Sequence, residues 1–166
     1  MRRITTSLIL VLSIAAVAQQ ATKKDAKPAS AKTEAGHVYP QSRIQWGPAP
    51  PFVPPGAQLT VLEGDPGASS GTYTVRVKTP AGYVVPPHYH PKRENVTVIS
   101  GAMKLGMGDK IEETRMTTLS AGSFAYLDPS MHHYVKMQGP TVVQIHGESP
   151  LAFTYVNPDD DPSRKK

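Results

Sequence analysis

His88-Tyr89-His90 sets two imidazoles two residues apart. Side chains alternate along a strand, so both project from one face. Glu94 follows four residues later, across the short turn Pro91-Lys92-Arg93, and is placed to face the pair from the neighbouring strand. His132-His133 adds two imidazoles near the start of a later strand. Imidazole nitrogens with one carboxylate suit a divalent transition metal ion: Fe, Mn, Zn, Ni or Cu. The chain has no cysteine, which excludes thiolate zinc sites, disulfides and thiol nucleophiles. It also lacks a glycine-rich phosphate loop and a G-x-S-x-G elbow.

The elements that must hold these groups are strands. Period-2 alternation dominates after residue 57; Thr72-Tyr73-Thr74-Val75-Arg76-Val77-Lys78 puts Tyr73, Val75 and Val77 on one face. Short strands are expected over 58–62, 72–78, 83–85, 95–100, 102–105, 123–127, 133–137, 141–146 and 152–156, separated by Gly, Pro and Asp turns. With Gly 13 and Pro 17 in 166 residues and no helical period, the chain reads as all-β, a sandwich or barrel. Before the strands, Pro48, Pro50, Pro51, Pro54 and Pro55 force an N-terminal extended strap, with Trp46 and Phe52 as its anchors.

Gly82, five residues, His88-x-His90, three residues, Glu94, six residues and Gly101 reproduce the first cupin motif without a departure. The segment from Gly122 to His133 resembles the second cupin motif. It departs at Asp128, where the pattern has proline, and at Ser130, where it has glycine; beyond the segment, Met137 stands in place of asparagine. The resemblance runs from about Trp46 to Pro162. It implies a double-stranded β-helix (jelly-roll) barrel, a single cupin domain over residues 37–166. Inside, a metal would be held by His88, His90, Glu94 and His133. Three histidines and one glutamate on an octahedral ion leave two positions open, the arrangement of a catalytic or ligand-binding metal. The resemblance also implies a homodimer, and lets Glu94 leave the metal and serve as a base.

Adjacent residues on a strand point to opposite faces, so only one of His132 and His133 can reach the ion. Counting from Gly122 in the motif register gives His133. With His133 inward, Val135 and Met137 follow it while Tyr134 and Lys136 face out, which keeps the lysine in water. His146 and Gln144 share one face of the 141–146 strand, and His146 is the candidate second acid/base of the cavity. Met103, Tyr126, Phe153 and Tyr155 are candidates for an apolar pocket about the metal. The expected function is that of a metal-dependent enzyme acting on a small organic molecule, of dioxygenase, isomerase or decarboxylase type. The alternative is a non-catalytic module that binds a metal or small ligand for sensing.

The remaining residues carry an address. Met1-Arg2-Arg3, an apolar stretch over 4–17 and Ala16-Val17-Ala18 form a signal peptide of residues 1–18, too short for a comfortable membrane span. Residues 19–36, rich in Ala, Lys, Thr and Ser, read as a flexible linker. The expected location is periplasmic or extracellular, without stable membrane insertion after cleavage. The formal charge of +5 sits mostly on this segment: between His37 and Pro158, nine Lys/Arg face eight Asp/Glu, and a nucleic-acid partner is not supported.

Overall fold

A computed structural model describes residues 37–165; the expected signal peptide and linker lie outside the described residues. Eleven strands form two antiparallel sheets, the jelly-roll architecture expected. They are β1 (Gly47–Pro48), β2 (Gln58–Gly64), β3 (Thr72–Thr79), β4 (Val84–Tyr89), β5 (Glu94–Ser100), β6 (Ala102–Met107), β7 (Thr117–Ser120), β8 (Phe124–Leu127), β9 (His133–Met137), β10 (Thr141–Glu148) and β11 (Thr154–Tyr155). One sheet runs β1-β2-β3-β10-β5-β8, the other β11-β4-β9-β6-β7. Their inner faces meet in a core containing Val75, Val98 and Met103, all essentially inaccessible to water. The strap lies along one edge: Gly47 pairs with Leu59, Lys78 sits over the Trp46 ring, and Phe52 packs on Phe153 at 5.4 Å.

Two strands escaped the sequence reading. β1 is two residues long, and β7 is an edge strand of Thr, Thr, Leu and Ser with little apolar alternation. The more consequential difference lies in β4. Val85 pairs with Val135 and His88 with His133, so three residues of β4 span two of β9. The extra residue falls at Pro86-Pro87, which have no N–H to donate to a ladder, and it makes a bulge. Strict alternation from the inward Val85 would send His88 and His90 outward. The bulge resets the parity and turns both in.

Tyr134 faces outward as expected, yet it is 1% exposed. Its ring lies over Gly106, where a Cβ would sit 2.2 Å from a ring carbon, and its hydroxyl accepts from the Glu112 N–H at 3.0 Å. The loop after β6 therefore covers it. Lys136 beside it reaches the Glu113 carboxylate.

Candidate metal centre

At one end of the barrel His88 of β4, His90 just past its end, and His133, the first residue of β9, bring their rings together. Ring centroids lie 4.2 Å (His88–His133), 5.0 Å (His88–His90) and 5.2 Å (His90–His133) apart. All three are buried. Glu94 opens β5, which belongs to the opposite sheet and not to the strand next to β4, as the sequence had suggested. It reaches the cluster across the barrel: its Oε2 stands 3.6 Å from the Nε2 atoms of both His90 and His133.

The second nitrogen of each ring settles its tautomer. Nδ1 of His88, His90 and His133 lies 2.7, 2.8 and 2.9 Å from the carbonyl oxygens of Pro86, Ala152 and Met131. A carbonyl only accepts, so each Nδ1 carries the hydrogen and donates, leaving each Nε2 a lone pair. Backbone acceptors behind metal-binding imidazoles fix ring orientation in the same way. The His90 Nε2 is buried with no hydrogen-bond partner. Such an atom is costly to bury unless something takes its lone pair. The donor set fits a divalent ion.

Electrostatics agree with neutral ligand rings. Burial lowers the His88 pKa to about 3, and the neighbouring His133 and His90 push the same way. Burial also lowers His90, against the opposing pull of Glu94. Burial pushes the Glu94 carboxyl up, and positive charge on the His90 and His133 rings pulls it down, so in the metal-free cluster the carboxylate is favoured where a neighbouring ring holds a proton.

Phe153 caps the cluster, stacked on His88 at 4.5 Å and edge-on to His90 at 4.7 Å. Met103 lines the cavity as expected, and Tyr155 packs near His88 with its hydroxyl on the Phe52 carbonyl. Tyr126 does not join them; it is 55% exposed on the outer face, under Arg93.

His146 is a correction. Val143 and Ile145 of β10 face the cavity, so alternation sends Gln144 and His146 outward. Gln144 accepts from Arg76, and His146 lines an open outer hollow of about 650 Å³ with Thr74 and Asn95. It cannot serve as an acid or base in the cavity.

The turn before His133 keeps its shape despite its departures from the motif. Pro129 takes the second position and Ser130 the third with φ 63°, while the Met131 N–H donates to the Asp128 carbonyl at 3.1 Å. This is the pattern of a turn that ordinarily asks for glycine. Asp128, in place of proline, accepts from Arg93 Nε at 2.8 Å and so ties the turn to the residue before Glu94. His132 points away from the barrel interior, stacked on Tyr89 at 4.8 Å, its Nδ1 2.6 Å from Asp109 Oδ1.

Tyr73 is a residue that sequence reasoning treated only as core. Its ring reaches Gly147, where a Cβ would meet the Tyr73 hydroxyl at 3.2 Å. Burial raises its pKa, and the Glu94 charge adds to that. Gly147 inside a strand was the available signal, since such glycines mark a close approach.

The family model described as "Cupin domain" matches residues 75–147. The match and the jelly-roll fold agree with the cupin resemblance of the sequence motifs. Similar solved structures include the polyketide cyclase RemF from Streptomyces resistomycificus, with TM-score 0.62 and 16% identity, covering 78% of this chain and 91% of that one. A Methylibium petroleiphilum protein provisionally described as an acetylacetone dioxygenase gives 0.58 and 22%, covering 79% and 88%. The DMSP lyase DddQ from Ruegeria pomeroyi gives 0.53 and 20%, covering 69% and 61%. At these identities the likeness speaks for the fold. No curated protein matches the chain.

Proposed function

We propose that the protein is a metal-dependent cupin enzyme. One divalent transition-metal ion, held by His88, His90, His133 and Glu94, would act on a small organic molecule by dioxygenation, isomerisation or decarboxylation. The observation that carries this reading is the set of three buried imidazoles with Nδ1 committed to backbone carbonyls and Nε2 free, beside the Glu94 carboxylate at 3.6 Å. When bound, such an ion supplies Lewis acidity and, if iron or copper, redox chemistry. The protein's own part is to orient the ligand rings through Pro86, Ala152 and Met131, to exclude water with Phe153, and to offer Glu94 as the proton acceptor.

Metal analysis of protein purified from its native compartment tests the reading, followed by oxygen-uptake assays. About one transition-metal ion per chain is expected; folded protein without stoichiometric metal would contradict it. A second reading, a non-catalytic binding or sensing module, is favoured by one observation: with His146 outside, Glu94 is the only acid/base beyond the imidazoles at the centre among the described residues. The fold hosts both classes. Turnover by the metal-loaded wild type separates them: an enzyme converts a small organic substrate, whereas a binding module takes up metal and ligand without converting it.

We further propose cleavage after Ala18, export to the periplasm or beyond, and a homodimer formed through sheet edges or the strap. Among the described residues no helix is long and apolar enough to cross a membrane. Intact-mass analysis of the exported protein checks the cleavage, and sedimentation checks the dimer.

A further inference from the structure

Behind the cluster lies a cavity of about 70 Å³, bounded by side chains such as Val85, Val96, Met103 and Val143. One water needs about 10–15 Å³ of space of this kind, so the cavity suits about half a dozen water-sized groups. Leu151 and Phe153 also line it. Its lining contains no Lys, Arg, Asn or Gln among the described residues.

Apart from the cluster, its polar lining is Thr79 and Tyr83, and both hydroxyls donate to backbone carbonyls, of Thr141 and Pro54. Thr79 lies at the far end, six residues along β3 from Tyr73, about 20 Å of strand, and the Tyr83 hydroxyl is turned to the strap carbonyl it bonds. Tyr73 is buried near Glu94 and does not line this cavity.

The part of a ligand that enters this cavity therefore has only the ion and Glu94 near enough to meet its polar atoms. Any other polar atom would be stripped of water with no partner, which is costly. We infer that the substrate is a small chelating molecule whose polar atoms are confined to its metal-facing end and whose remainder is a short hydrocarbon. Sugars, polyols and amino acids fall outside this class. The inference rests on the metal-centre reading above and narrows it.

Two hydroxamates with the same chelating head test it. Acetohydroxamate ends in a methyl group and glycolohydroxamate in a hydroxymethyl group, so the affinity of the head cancels. The full chain is loaded with Co(II), and each probe is titrated against the visible absorption of the ion. Acetohydroxamate should bind at least tenfold more tightly, the discrimination expected when a hydroxyl is buried without a partner. Equal affinities, a preference for glycolohydroxamate, or Co(II) uptake without binding of either probe would overturn the inference while leaving the metal centre standing. Failure to take up Co(II) would overturn the metal centre and the inference with it.

Discussion

His133 and His132 are adjacent in sequence and have opposite surroundings. The first has a side chain 2% exposed, its Nδ1 on a backbone carbonyl and its Nε2 toward Glu94. The second is 35% exposed and leans on Asp109 and Tyr89. The same division separates the buried pair His88 and His90 from the exposed His146. In this chain an imidazole becomes a candidate ligand by lying on the inner face, and the face is set by strand parity together with one bulge. The outer imidazoles meet carboxylates, rings and water; the inner ones meet carbonyls on one nitrogen and one another on the other.

The largest expected effect comes from shifting the parity of β4. Deleting Pro86 and Pro87 together would set His88 directly after Val85 and turn His88 and His90 outward, whereas deleting Pro87 alone removes only the extra residue and leaves both inward. Metal titration of the double deletion should show affinity lost by more than a hundredfold, with β-rich circular dichroism kept. Retained affinity would mean that strand parity does not set which face the imidazoles take.

A second effect is the acid sensitivity of the metal-free protein. His88 titrates near 6.5 when unfolded and near 3 when folded. Between those values the unfolded chain binds a proton that the folded chain refuses, so stability falls as pH drops from 6.5 toward 3. One fully differential proton gives a slope of about 1.4 kcal/mol per pH unit. Urea unfolding of wild type and His88→Gln across pH 7 to 4.5 should give a shallower slope for the variant; equal slopes would contradict the burial of a neutral His88.

The smallest effect concerns the turn that delivers His133. Ser130 holds a left-handed φ of 63°, a conformation that costs most residues and not glycine. Ser130→Gly should raise unfolding free energy by about 1 kcal/mol in urea melts, with metal affinity within a few-fold of wild type.

Much of this was legible in the sequence. The alternation of residues 72–78 showed which face of β3 is core, and the glycine and histidine spacings marked both cupin motifs. Parity within 133–137 separated His133 from His132. What escaped depends on contacts between distant segments. The outward Tyr134 is buried because the loop after β6 closes over it at Gly106. His146 could be given a shared face with Gln144 but not a side, because the alternation of 141–146 alone does not say which face meets the core; Val143 and Ile145 take it. The bulge was hidden because two prolines read equally well as the end of a strand and as an irregularity within one.

The most direct test of a metal centre built from the inner imidazoles is a side-by-side metal titration of wild type, His133→Ala and His132→Ala by calorimetry. One ion per chain should bind to wild type and, within a few-fold of the same affinity, to His132→Ala. His133→Ala should lose at least a hundredfold. Equal affinities for the two variants, or a larger loss in His132→Ala, would contradict the account.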